Sequence, residues 1–186
     1  MDYISQYNQD THIFEVISSR FKNQGFLNAY DFFFIIIWKA NRAKSKIANL
    51  LIKHSGTSNL DEAVISLTSS ISQAADHKER LRLIMKEWRI PLPTSTAILT
   101  ALYPEYFTVY DVRVCEELED DFHKLSHLTN FENIWSGYQE FMRKIEEVTP
   151  KELTIRDKDR YLWGKSFARQ LEADIERGFR KELSND

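Results

Sequence analysis

The chain has one cysteine, Cys115, so no internal disulfide can form. Glycine (5) and proline (4) are scarce among its 186 residues, which leaves long stretches without the two residues that break helices. It also lacks a long apolar run. The longest, Phe32 to Trp38, lies between Asp31 and Lys39 and is far short of the roughly 20 residues that a membrane helix needs. That run is predicted to be a core segment, and no membrane partner is expected. Met1, Asp2 and Tyr3 carry neither the basic start nor the apolar stretch of a signal peptide, which predicts a cytoplasmic protein. Positive charge is not in excess: 25 Lys and Arg stand against 28 Asp and Glu, a formal net charge of −3. Any nucleic-acid binding must therefore rest on a local basic patch and not on an overall positive field.

What is present is ordinary globular usage, with 42% hydrophobic and 28% charged residues, at a length suited to one domain. Helical periodicity runs from end to end. Leu81, Ile84, Met85 and Trp88 recur at i, i+3, i+4, i+7, and Phe131, Ile134, Trp135, Tyr138, Phe141, Ile145 and Val148 continue the pattern over five turns. Trp163, Phe167, Leu171 and Ile175 form a third stripe, predicted to be buried like the others. Helix starts are predicted at Asp76 with Glu79, at Thr129 with Glu132, and at Thr149, Pro150 and Glu152. Breaks are expected at Gly25, over residues 55–59, over residues 90–93, and around Pro104. The fold class is all-α, with about seven to eight helices in a single domain over residues 1–186.

The most informative segment runs Trp88-Arg89-Ile90-Pro91-Leu92-Pro93-Thr94-Ser95-Thr96-Ala97 and then, past Tyr103-Pro104, Val109-Tyr110-Asp111-Val112-Arg113. A helix ends, a tight turn follows, an apolar helix starts at about Thr94, and a loop delivers an aspartate to the next helix. This resembles the helix-hairpin-helix DNA glycosylase superfamily, whose turn is followed by Thr-Ala and whose next helix opens at a catalytic aspartate. The close match covers about thirty residues. The resemblance implies a two-lobed helical bundle, with one lobe over about residues 28–104 and the other over about 1–27 plus 105–186. It also implies DNA as partner and places the catalytic aspartate at Asp111. There the carboxylate would stabilise positive charge on the sugar as the glycosidic bond breaks, or activate a water. An N-cap role is the alternative reading of the same residue. The pattern departs from the family in two places. Pro91 and Pro93 occupy the turn positions where glycines let backbone N–H groups bind phosphate, and proline has no N–H. Ser95 falls where bifunctional members carry a nucleophilic lysine, so only a monofunctional base-excision activity is implied.

The residues expected to contact DNA are Arg82, Lys86, Arg89, Thr94, Ser95 and Arg113 around the hairpin, with Lys39 and Arg42 beside Trp38. Of the two basic clusters, Lys78, Arg80, Arg82, Lys86 and Arg89 adjoin the turn and are the favoured patch; a solvated helix face is the alternative for the helix carrying Lys39 and Arg42. Arg156-Asp157-Lys158-Asp159-Arg160 reads as a salt-bridged helix start with a structural role. His123 and His127 have a spacing that permits zinc on one α-helical face, with Glu119, Asp120 and Asp121 nearby. No matching ligand pair follows, so neither metal nor cofactor is expected. The acidic run over residues 116–121 reads as a solvated face, and Cys115 as a small buried apolar residue. A DNA-binding protein with base excision at Asp111 is thus the expected function. A non-catalytic helical module that binds a protein partner is the alternative.

Overall fold

The computed structural model describes residues 3–118 and 121–180 and is all-helical over them. The α-helical segments are α1 (Tyr3–Tyr7), α2 (Gln9–Thr11), α3 (Ser18–Gln24), α4 (Ala29–Ala40), α5 (Lys44–Ser55), α6 (Leu60–Gln73), α7 (His77–Arg82), α8 (Leu92–Leu102), α9 (Val112–Glu117), α10 (Phe131–Val148) and α11 (Ile155–Glu176). Wider π turns at His12–Ile17 and Leu83–Glu87 prolong α2 and α7, and 3₁₀ turns occupy Asn41–Ala43 and Asp121–His127. No helix is long and apolar enough to cross a membrane, among the described residues.

Helix α8 is the centre. Its sequence is apolar or hydroxylated on every side, and all of residues 94–102 are buried. Three buried hydroxyls are satisfied locally: Ser95 donates to the Ile90 carbonyl (2.9 Å), Thr96 to the Leu92 carbonyl (3.0 Å) and Thr100 to the Thr96 carbonyl (2.8 Å). Helix α4 packs on α8 through the predicted run, burying Phe32, Ile35 and Ile36 and leaving Trp38 half-buried at its end. Helices α5 and α6 pack together, while α9 lies along α11. Helix α3 stops at Gly25, whose φ of 77° supplies the left-handed residue that returns its N–H to the Phe21 carbonyl.

Several helix starts shift from their sequence expectation. Asp76 caps α7 as predicted, accepting from the Glu79 N–H at 2.8 Å. Helix α10 is capped one residue late, by Asn130 accepting from Asn133 N–H. Thr149 does not start α11, because it is buried and its hydroxyl donates to the Ile145 carbonyl of α10. Thr154 caps α11 instead, accepting from the Asp157 N–H. Helix α8 begins at Leu92, two residues before Thr94, with Pro91 at its N-cap and Pro93 inside the first turn, where a missing N–H is harmless.

The largest correction concerns α11. Its stripe Trp163, Phe167, Leu171 and Ile175 faces outward, each residue 39 to 59% exposed. The buried face carries Lys158, Asp159, Leu162 and Ser166, about 100° round the helix. At the end of α10, Val148 is also exposed, while Ile134, Tyr138, Phe141 and Ile145 are buried as expected.

Candidate functional site

The loop between α8 and α9 carries Asp111, and three helices hold it by its backbone amides. Tyr138 of α10 is fully buried; its hydroxyl donates to the Thr108 carbonyl (2.6 Å) and accepts from the Thr108 N–H (3.1 Å). Asp159 of α11 accepts from the Val109 N–H (2.9 Å) and the Thr108 hydroxyl (3.0 Å). Thr96 of α8 accepts from the Tyr110 N–H (3.0 Å) while its own hydroxyl proton goes to the Leu92 carbonyl. The Thr96 that carries the sequence resemblance therefore has a physical role, because its oxygen anchors the residue next to Asp111. Burial pushes the Tyr138 phenol above its ordinary range, so it stays a neutral donor.

Asp111 caps α9. One carboxylate oxygen accepts from the Arg113 N–H (3.0 Å), and the other pairs with the Lys39 ammonium at the end of α4. An anion at a helix N-terminus meeting a cation at a helix C-terminus suits both helix dipoles. The pair borders a cleft of about 440 Å³ that is also lined by Trp38, Trp163, Arg156 and Asp159. Arg156 joins its walls: its guanidinium lies 4.6 Å from the Phe14 ring centroid and 5.4 Å from that of Trp38, and it donates to Asp10 (2.6 Å) and Asp159 (2.5 Å). Burial raises the Asp159 carboxyl above its usual range, against the opposing pull of Arg156 and of the hydrogen bonds from Val109 and Thr108. Arg113 lies over the Trp163 ring at 5.4 Å and donates to Gln170. Trp163 in turn stacks nearly parallel on Phe167.

The structure thus brings together Asp111 and Lys39, with Arg113 at the edge through Trp163. Arg42 sits on the 3₁₀ turn after α4 and is exposed. The remaining predicted residues are elsewhere. Ser95 is wholly buried with its hydroxyl committed to Ile90, and Thr94 is buried too. Arg82 is held bidentate by Glu79 and also pairs with Glu87, Lys78 pairs with Glu132, and Lys86 donates to the Thr129 carbonyl. Two of the five cations of the favoured basic cluster are thereby paired with acids, and a third donates to a backbone carbonyl. Arg89 is exposed, in a left-handed conformation (φ 56°) where the chain leaves the π turn. By contrast, no acid occurs between Asp31 and Asp61, and Arg42, Lys44, Lys46 and Lys53 are all exposed there.

The other sequence candidates resolve on geometry. His123 and His127 lie on a 3₁₀ segment, where residues four apart diverge by about a third of a turn, so they do not share a face. Glu119 and Asp120 lie outside the described residues. No group of three or more His, Cys, Asp or Glu is placed to hold a metal ion, among the described residues. Glu117 departs from the expected solvated face: it is buried and pairs with Lys165 (3.3 Å) and Arg169 (2.8 Å) of α11. Cys115 is buried, and desolvation pushes its thiol up to about 11, which keeps it unreactive.

Sequence reasoning missed Asp10, Arg156, Asp159, Arg160 and Trp163 as cleft residues. The i, i+3 spacing of Arg156 and Asp159 signals an ion pair, but not the face it occupies; Asp10 is 146 residues from Arg156 and gives no local signal. Comparison with known proteins finds no match to this chain, whether among family models, curated proteins or solved structures.

Proposed function

We propose that the chain is a DNA-binding protein that receives an extruded base in the Asp111 cleft, with monofunctional base excision as its chemistry. The observation that carries this reading is the juxtaposition of a part-buried carboxylate with two indole rings in one cleft, whose volume falls in the ~300–1,000 Å³ range of small-ligand sites. A base would stack on Trp38 or Trp163 by displacing the guanidinium that lies over that ring, Arg156 or Arg113, as pockets for flipped nucleotides use aromatic walls. The Asp111 carboxylate would stabilise the cationic sugar as the glycosidic bond breaks. Lys39 is a positioning residue, since it holds one oxygen of Asp111. The reading carries with it the two-lobed glycosylase layout, with α4 and α5 in one lobe and α9 to α11 in the other. It assigns phosphate contact to Arg42, Lys44, Lys46 and Lys53 and away from the hairpin, where Pro91 has no N–H and its carbonyl accepts from Thr94 and Ser95 within α8.

The test is single-turnover base release from single-stranded and duplex oligonucleotides bearing uracil, hypoxanthine or alkylated purine, together with binding to abasic-site DNA at two salt concentrations. The expected result is release from at least one substrate, lost at least a hundredfold in Asp111→Asn, with binding retained. No adduct with abasic DNA should be trapped by borohydride, in keeping with a monofunctional site. Absence of both release and salt-dependent binding would remove the proposal. A second reading, a protein-binding module, is favoured by one observation of its own: the exposed apolar stripe of α11, which the Asp111 cleft does not need beyond Trp163.

A further inference from the structure

A second cleft, of about 310 Å³, lies on the other side of the Asp111 loop, between the start of α11 and the outer face of α10. Its lining includes Lys158 and Ile155 from α11, Gln139, Arg143 and Glu146 from α10, and Glu105 from the loop. The charges are unevenly matched. Glu105 is taken by Lys22 at 3.0 Å, and Arg143 is taken by Glu140 and Glu147. Lys158 is 92% buried on its relative exposure of 8%, yet its side chain makes no ion pair or hydrogen bond among the described residues. Its ammonium is not among the fully enclosed orphan atoms, so the little surface this residue keeps includes its charged tip. The stem of Lys158 is packed while its ammonium reaches the cleft with no protein acceptor among the described residues, the arrangement of a long basic side chain that covers apolar surface and keeps its charged head in water.

Helix geometry adds a second positive element. Side chains lean toward the N-terminus of their helix, so Lys158 is directed back over the first turn of α11, the turn that also contributes Ile155 to the cleft. That end of a helix of 22 residues carries the positive end of its dipole; the Asp157 N–H there is taken by the Thr154 cap, which leaves the Ile155 and Arg156 N–H groups without acceptors among the described residues. Unpartnered ammonium and helix end together form a seat for negative charge, with Gln139 also in the lining. The opposing charges are Glu146, exposed at the rim and without an ion pair among the described residues, Glu105, which Lys22 takes, and Asp157 in the first turn of α11, which pairs with Arg160.

We propose that this cleft binds a small oxyanion, a carboxylate or a phosphate, on Lys158 and the N-terminus of α11. The site is separate from the Asp111 cleft and does not depend on the function assigned there. Calorimetric titration of the full chain with inorganic phosphate and with acetate, at ionic strength matched by chloride, reads it directly, and the stronger of the two identifies the oxyanion. The expected result is saturable binding that weakens at least tenfold in Lys158→Met, with phosphate raising the melting temperature of the parent more than that of the variant. Glu146→Gln should tighten the same titration, which keeps the test open if Lys158→Met fails to fold. Phosphate stabilises proteins generally by exclusion from their surface, so thermal shifts count only as a difference from Lys158→Met. No saturable binding of either anion, equal binding in Lys158→Met, or no effect of Glu146→Gln would each overturn the proposal.

Discussion

Thr96 shows how much one side chain decides here. It sits in the first turns of α8, fully buried, and its oxygen is the acceptor that the structure gives the Tyr110 N–H. Replacing it with valine keeps the shape but leaves that buried amide unpaired, and an unmet buried donor costs about 1–3 kcal/mol. Thr96→Val is therefore expected to lose that much stability in urea denaturation, and Thr96→Ser to recover most of it. A loss below about 0.5 kcal/mol, the scatter of neutral substitutions, would mean that the loop finds another acceptor and that Thr96 does not anchor it. At Asp111 the N-cap reading holds, since one carboxylate oxygen accepts from the Arg113 N–H; the other is paired with Lys39, and the residue lines the cleft.

Among the elements, α11 separates pattern from packing. Its aromatic stripe is exposed, while Leu162 is buried and flanked by Asp159 and Ser166. Leu162→Ala should cost about 2–5 kcal/mol, as truncating a core leucine does. Phe167→Gln with Leu171→Gln should stay within about 0.5 kcal/mol per site. The reverse order in chemical denaturation would restore the register that hydrophobic periodicity alone predicts. Periodicity succeeded for α10, because Ile134, Tyr138, Phe141 and Ile145 all face a hydrophobic core. It failed for α11 because the surroundings there are polar: the Thr108 and Val109 groups need Asp159, and Glu117 needs Lys165 and Arg169. Those demands come from residues 40 or more positions away, and no local window contains them. The same limit hid Asp10, Arg156 and Trp163 from the sequence reading of the site, whereas the Thr96 to Asp111 segment was legible because its partners are 14 residues apart. The caps at Asn130 and Thr154 moved by one and by five residues, the second because the nominal cap Thr149 was already engaged with α10.

Across the whole molecule, a net charge of −3 conceals segregation. From Asp31 to Asp61 the intervening chain carries only cations, and among the described residues only Lys39 of these meets an acid. The cluster ahead of the hairpin has as many Lys and Arg in sequence, but Lys78 and Arg82 there are engaged by Glu132, Glu79 and Glu87. If DNA is bound, Arg42→Glu with Lys46→Glu should flatten the plot of log affinity against log salt by about 0.9 for each phosphate that is no longer neutralised. Arg82→Glu with Lys86→Glu should leave that slope nearly unchanged. Equal effects of the two pairs in fluorescence anisotropy would assign the phosphate track to the hairpin side after all.

The three consecutive amides before Asp111, at Thr108, Val109 and Tyr110, are each gripped by a different helix. A loop held this way has no small opening available to it: releasing one proton to water means separating the loop from a packed helix while the amides on either side are still held by two others. These amides should accordingly exchange with deuterium on the timescale of global unfolding, as protons of a central helix do, although the segment has no regular structure. Whatever ligand reaches Asp111 then meets a carboxylate whose position was settled when the chain folded, and little conformational entropy is left for binding to remove.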